Sequence, residues 1–302
     1  MRPKSLKAWI VYIYTCLYNT LYYLKHKDII VIKAWINQRG DKLFPYNFGD
    51  DINFHLVKHL SGKRVINIRD TFITWLPIKN YICIGSVIEW FTDNNSILWG
   101  CGASPGTAPL KHKPKIVLAV RGPLTRKYLL SQGVACPEVY GDPGLLMPMM
   151  YPCKKEKKYK IGIIPHFLDY NLPNVKELKR KHGDICIIKL WGGELQAIID
   201  KMNECEIIAS SSLHGLIISD AYGIPNVWIR LSNEKSGSGG DFKYQDYFAS
   251  VGRQETVPLD FRNNHDIDIS IIADKAKEYK NIVFDATPLL RSCPFIKNNI
   301  LK

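Results

Sequence analysis

The chain has 302 residues, 46% hydrophobic and 23% charged, with 21 Gly and 17 Pro spread along its length. That composition excludes fibrous and disordered chains, and the length suits two domains better than one. The 41 Lys and Arg against 28 Asp and Glu leave a formal charge of +13, which draws phosphates, carboxylates, nucleic acid or an anionic lipid surface without choosing among them.

Residues 1–27 form a basic segment in which Lys4 and Lys7 precede, and Lys25 and Lys27 follow, an aromatic-rich stretch. Trp9 to Leu24 is interrupted by Thr15, Asn19 and Thr20. It is shorter and more polar than the roughly 20 apolar residues a spanning helix needs, and no small-residue cleavage site follows. Two readings stand: an amphipathic helix on a membrane surface, or a helix packed on the protein's own core.

From Ile29 onward short apolar runs alternate with helical segments. Strands are predicted at 29–36, 64–68, 81–86, 96–102 and 115–122, with helices at 50–63 and 123–133. A Lys-rich linker (151–158) separates this series from a second, with strands at 160–167, 184–191, 206–212 and 225–231 and helices at 174–183, 193–205 and 213–223. The expected fold class is α/β: two Rossmann-like domains, 28–150 and 159–302, facing a cleft, the second with closing helices. The eight Cys show no CxxC pair and mostly apolar neighbours. They read as buried thiols of a cytoplasmic protein, and no metal site is expected.

In open sheets of this kind ligands bind at the carboxyl ends of strands. Four polar constellations fall there. In PYNFGDDIN, Asn47, Gly49, Asp50 and Asp51 make a glycine turn into a helix, suited to an anion or simply to a helix cap. In AVRGPLT, Arg121 follows a strand, either to grip a carboxylate or phosphate with its planar fork or to tie the turn to a carboxylate such as Asp142. In ASSSLHGLIISDAYGIP, His214 follows Ser210, Ser211 and Ser212 at a helix start, with Gly215 behind it. The helix end disfavours an imidazolium and a bound anion favours it, which suits acid chemistry. In residues 232–252 a flexible SGSGG tract precedes Asp241, Lys243, Tyr244 and Tyr247, and reads as a loop closing over an anionic substrate. Neither GxxxxGK[ST] nor GxGxxG is present, so ordinary ATP and dinucleotide sites lose support.

From Asn47 to Phe248 these pieces, NFGDD, VRGPLT, GDPGLL, SSSLHGLIISDAYGIP and DFKYQDYF, resemble the polysaccharide pyruvyltransferase family. The resemblance implies a GT-B-type fold and transfer of the enolpyruvyl unit of phosphoenolpyruvate to sugar hydroxyls as a ketal. It assigns Arg121 and Lys243 to the donor's anions and His214 to acid chemistry. Beside them the amides of 213–215, Ser211, Ser212, Gly215, Asn47 and Gly49 are candidates for substrate binding, and Asp50 or Asp51 for orienting or deprotonating the acceptor. No cofactor beyond the donor substrate is expected, and no nucleic acid. The expected partners are phosphoenolpyruvate, a sugar acceptor on a lipid-linked oligosaccharide of exopolysaccharide or capsule synthesis, and the cytoplasmic face of an anionic membrane. A nucleotide-sugar glycosyltransferase of the same fold and a non-catalytic binder of anionic polymer remain as rivals.

Overall fold

The computed structural model describes residues 5–104, 109–233, 240–262 and 266–296. Helix α1 (Leu6–Lys25) is capped by Ser5, whose Oγ accepts the amide of Ala8 at 3.2 Å. Strand β1 (Ile29–Ile32) leads to an antiparallel hairpin of β2 (Asn37–Arg39) and β3 (Lys42–Phe44). Then come α2 (Phe48–Ser61), β4 (Arg64–Asn67), β5 (Asn80–Ile82), α3 (Ile88–Phe91), β6 (Ser96–Trp99), β7 (Ile116–Ala119) and α4 (Pro123–Ser131). A short 3₁₀ turn, Pro143–Leu146, and α5 (Met147–Met150) lead out of this half.

The second half runs β8 (Tyr159–Ile164), α6 (Pro173–Lys181), β9 (Ile185–Ile187), α7 (Leu195–Asn203), β10 (Cys205–Ser210), α8 (Leu213–Ala221), β11 (Asn226–Arg230), α9 (Phe242–Ser250) and β12 (Leu259–Asp260). It closes with α10 (Ile269–Ala276) and α11 (Ala286–Arg291).

Both large sheets are parallel and five-stranded, ordered β4-β1-β5-β6-β7 and β12-β11-β10-β8-β9. Counted within each half, both orders are 2-1-3-4-5, so the strand order reverses between β1 and β5 and again between β8 and β10. Such switch points open a crevice beyond the carboxyl ends of the strands. The apolar runs of the sequence supply these strands because parallel strands are covered on both faces.

The halves are tied by backbone and by packing. The Phe48 amide donates to the Leu190 carbonyl at 2.9 Å, and the Gly192 amide to Tyr46 at 3.1 Å. One core cluster runs from Ile32 and Phe48 through Leu146 to Ile199 and Ile208. After Ala286 the chain returns to the first sheet, where Trp99 Nε1 donates to the Leu289 carbonyl at 3.0 Å and Phe295 meets the rings of Tyr81 and Trp99 edge-on.

Several predicted elements change. The strand expected at 29–36 stops at Ile32, because the Asn67 side chain bonds both the amide and the carbonyl of Ala34, each at 3.2 Å, and draws the backbone off the ladder. The hairpin at Gly40, with φ of 54°, was not expected. The loop expected over 232–252 is helical from Phe242 to Ser250. Tyr244, Tyr247, Phe248 and Val251 recur at helical spacing and are buried against Leu216 and Trp228, so they pull the segment into the core. The residues of the tract at 234–239 lie outside those described.

Helix α1 is fastened by a narrow polar seam. Asn19 Nδ2 donates to the carbonyls of Gln38 and Asp70 at 2.9 and 3.0 Å, its Oδ1 accepts the Gly40 amide at 2.8 Å, and Thr20 Oγ1 accepts the amide of Phe72 at 2.9 Å. Among the described residues no helix is long and apolar enough to cross a membrane.

Candidate active site

The second switch point is held by serines. The single Ser210 hydroxyl proton is shared between the carbonyls of Ser212 at 2.8 Å and Ile164 at 3.1 Å, and Ser211 Oγ donates to Asp169 at 2.7 Å while accepting the His166 amide at 2.8 Å. The Ser211 carbonyl in turn accepts the Tyr244 hydroxyl at 2.8 Å. Ser211 is buried, so the expectation that its hydroxyl meets substrate is corrected: it is spent on fixing the loop between β8 and β10. Gly215 is also structural. Its amide turns back to the Ser212 carbonyl at 3.1 Å, and a Cβ there would lie 2.2 Å from Ser210 Oγ. Of the amides expected to meet an anion, that leaves those of Leu213 and His214 at the start of α8. Ser212, at the cap position, is half-buried and makes no side-chain capping bond.

The NFGDD and SSSLHG motifs meet directly. A Cβ on Gly49 would fall 2.0 Å from His214 Nδ1, so only glycine lets the first turn of α2 lie against the imidazole. Asn47 caps that turn, its Oδ1 accepting the Gly49 amide at 3.2 Å, and it pairs across the halves with Trp191. His214 Nε2 is buried and has no hydrogen-bond partner among the described residues. Burial, with the charges of Lys243 and Arg121, pulls its pKa down to about 3. The ring is therefore neutral at pH 7 when no anion is bound beside it.

Arg121 joins the RGP turn to α9. Its Nε donates to Asp246 Oδ2 at 3.0 Å, one terminal nitrogen to Ser86 Oγ at 2.6 Å and the other to the Ala103 carbonyl at 3.1 Å. Asp246 also accepts the amide and hydroxyl of Thr125, at 2.8 and 2.7 Å, and so caps the start of α4. The carboxylate that ties this turn is thus Asp246, not Asp142, whose Oδ1 accepts the Gly144 amide. Fully buried and bonded through all three nitrogens, Arg121 does not present an open fork to a ligand. Its charge nonetheless depresses the pKa of both His214 and Lys243.

Lys243 sits in the first turn of α9, its Nζ 5.3 Å from the Tyr244 ring centre. Burial and the nearby Arg121 bring its pKa down to about 8. The same ammonium, after burial, lowers His166 to about 4, with Asp169 opposing. His166 was not among the expected site residues. Its Nδ1 is buried with no partner among the described residues, and it follows β8 directly beside Ser211.

The two carboxyls of NFGDD part ways. Asp50 is raised to about 8, by burial and then by Asp51, with Arg69 opposing. It faces Gly85, where a Cβ would stand 3.4 Å from its Oδ1. Asp51 is buried, bonded through Oδ2 to the Tyr46 amide at 2.8 Å, and raised to about 7 by burial with a further push from Glu194. Among the described residues no three His, Cys, Asp or Glu side chains group to hold a metal ion.

The fold and site together define a two-sheet α/β protein whose motifs gather imidazoles, buried cations and a protonated carboxyl at the switch points of its sheets. The chain belongs to the polysaccharide pyruvyl transferase family, whose model matches residues 11–233. It is 26% identical over 251 residues to the succinoglycan biosynthesis protein ExoV of Rhizobium meliloti, covering 76% of this chain and 68% of that protein. It is 27% identical over 252 residues to an uncharacterised protein of Acanthamoeba polyphaga mimivirus, covering 77% and 85% of the two chains. No solved structure matches it.

Proposed function

We propose that this protein transfers the enolpyruvyl unit of phosphoenolpyruvate to two hydroxyls of a sugar in a cell-surface polysaccharide precursor, forming a pyruvate ketal and releasing phosphate. Membership of the family and the similarity to a succinoglycan biosynthesis protein support pyruvyl transfer in polysaccharide synthesis. The observation that carries the site is the contact of Gly49 with His214, which brings the NFGDD and SSSLHG stretches together within the fields of Lys243 and Arg121.

In this reading the donor's phosphate and carboxylate lie near Lys243, His166 and the first amides of α8, drawn by a desolvated positive field. Arg121 acts through that field and by holding α9 and Ser86 in place. The separation of pKa values suggests how protons move. Asp50, protonated at neutral pH, gives its proton to the methylene carbon, and neutral His214 takes one from the acceptor hydroxyl as its oxygen attacks C2. The C2–O bond to phosphate then breaks as the imidazolium of His214 returns its proton to the departing phosphate, and the second hydroxyl closes the ketal, its proton passing to the Asp50 carboxylate and restoring the starting state. This exchanges the roles that the sequence alone suggests for His214 and Asp50. An anion bound beside His214 raises its affinity for the proton it has taken, as the sign of its field requires.

The two halves, 28–150 and 159–302 about the linker 151–158, we read as lobes of a GT-B-type arrangement. The acceptor we take to be lipid-linked and the setting the cytoplasmic face of a membrane, a choice supported by the charge of +13. The test is incubation with phosphoenolpyruvate and a panel of galactosides, mannosides and N-acetylhexosamine acceptors. Free phosphate together with the mass of a pyruvyl ketal is expected. Binding of a uridine or guanosine sugar nucleotide with no response to phosphoenolpyruvate would replace this reading with glycosyl transfer.

A further inference from the structure

Helix α1 is amphipathic in the wrong sense for water. The face that docks on the protein is its polar seam at Cys16, Asn19 and Thr20, while Leu6, Ile10, Ile13, Leu17, Leu21 and Leu24 follow one another at three- and four-residue steps on the outside. Their exposure runs from 49% at Ile13 and Leu17 to 78% at Leu6. A continuous aliphatic stripe of this length on a soluble surface marks a binding surface. Beside it, on the segment whose Phe72 amide bonds Thr20, Phe72 is 46% and Trp75 79% exposed. Two separate parts of the chain thus present large apolar side chains together.

The occupant follows from charge. Residues 1–27 contain no Asp or Glu, and Lys7, Lys25 and Lys27 are exposed at the two ends of the helix. A second copy of α1, parallel or antiparallel, would set lysines against lysines. An anionic bilayer meets all the features at once: aliphatic side chains enter the acyl boundary, Trp and Tyr rings lie at headgroup depth, and lysines meet lipid phosphates. We propose that α1, with Phe72 and Trp75, is a membrane-interface platform that lies flat on an anionic lipid surface without spanning it. The proposal stands apart from the transferase reading, since its readout is lipid binding.

The test is co-sedimentation of the full chain with phosphatidylcholine vesicles containing phosphatidylglycerol, against pure phosphatidylcholine. Binding is expected to be stronger on the anionic vesicles and to weaken with salt. Ile10→Asp with Leu17→Asp should abolish it. Replacing Lys7, Lys25 and Lys27 by Gln should weaken it about 100-fold, each lysine near the surface being worth about fivefold. The lysine set lies outside the core, so it decides the matter even if the aspartates disturb folding. A full chain that ignores anionic vesicles at low salt would overturn the proposal. So would unchanged binding by the lysine set, or a concentration-dependent dimer that the aspartates dissociate in the absence of vesicle binding.

Discussion

Asp246 Oδ2 receives the Nε–H of Arg121 at 3.0 Å across 125 residues of chain, and both side chains are fully buried. The pair welds the turn after β7 to α9, the helix that carries Lys243. Gly122 allows the approach, since a Cβ there would lie 1.9 Å from the Asp246 carbonyl oxygen. Removing one partner of a buried pair strands the other charge, at about 3–5 kcal/mol. Asp246→Ala should therefore shift urea unfolding by that amount. Arg121→Met with Asp246→Leu should recover much of the stability yet weaken donor binding, because the guanidinium's share of the field is lost and α9, which carries Lys243, is no longer tied to the turn after β7. Normal donor binding by the folded double variant would make the pair purely structural.

The His214 pocket gives a paired expectation. His214→Ala should lower turnover by about 100- to 10,000-fold, as loss of an acid–base group does, with the fold intact. Gly49→Ala adds a methyl group where the imidazole already lies, so it should displace the ring and cost about 1–3 kcal/mol of stability by overpacking. Steady-state rates and thermal unfolding check the two together. A stable, fully active Gly49→Ala protein would mean that the ring has no fixed post.

These two pairs show how far the sequence could be read. The apolar runs and glycine stops located most strands of both sheets, since burial on both faces leaves a continuous signal. The His214, Arg121 and NFGDD motifs were visible because each sits at a strand end. Their partners were not. Asp246 lies inside an amphipathic helix, where an Asp looks like any other turn of a surface, and its link to Arg121 exists only once the halves meet. His166 did have a signal: it lies at the carboxyl end of the predicted strand at 160–167, where ligands bind, but it stands there without the serines and the helix start that drew attention to His214.

His166→Ala should lower kcat/KM for the donor by about ten- to a hundredfold, the worth of one hydrogen bond to a charged group at about 1.5–3 kcal/mol. The measurement is donor saturation at fixed acceptor. An unaltered donor constant would place the unpartnered Nδ1 outside the donor site.

Lys243 titrates at about 8 because burial, and then Arg121, disfavour its charge. Donor affinity should accordingly fall as pH rises through about 8, where the ammonium is lost. The sign for stability is opposite: a lysine depressed from 10.5 weighs against the empty fold below about 8, and the burden lifts as pH rises toward the unfolded value. Isothermal titration with phosphoenolpyruvate across this range, for the parent and for Lys243→Ala, separates the effects. A donor affinity with the same alkaline fall in both proteins would assign it to another group.

Asp50 is raised from 3.8 to about 8, so the folded chain holds a proton there that the unfolded chain has released. Its contribution to stability is intact below about pH 4 and is lost as pH rises to about 8, at a slope approaching 1.4 kcal/mol per pH unit for one proton. Asp50→Asn cannot lose a proton, so its stability relative to the parent should rise steadily across that window. In catalysis the same variant has no proton to give the methylene carbon. Turnover should drop by at least about 100-fold while donor binding persists. Urea midpoints across the window and single-turnover rates on one preparation test both. A relative stability that stays flat with pH would mean the carboxyl is already ionised at neutral pH, and the donor's proton would then have to come from another group.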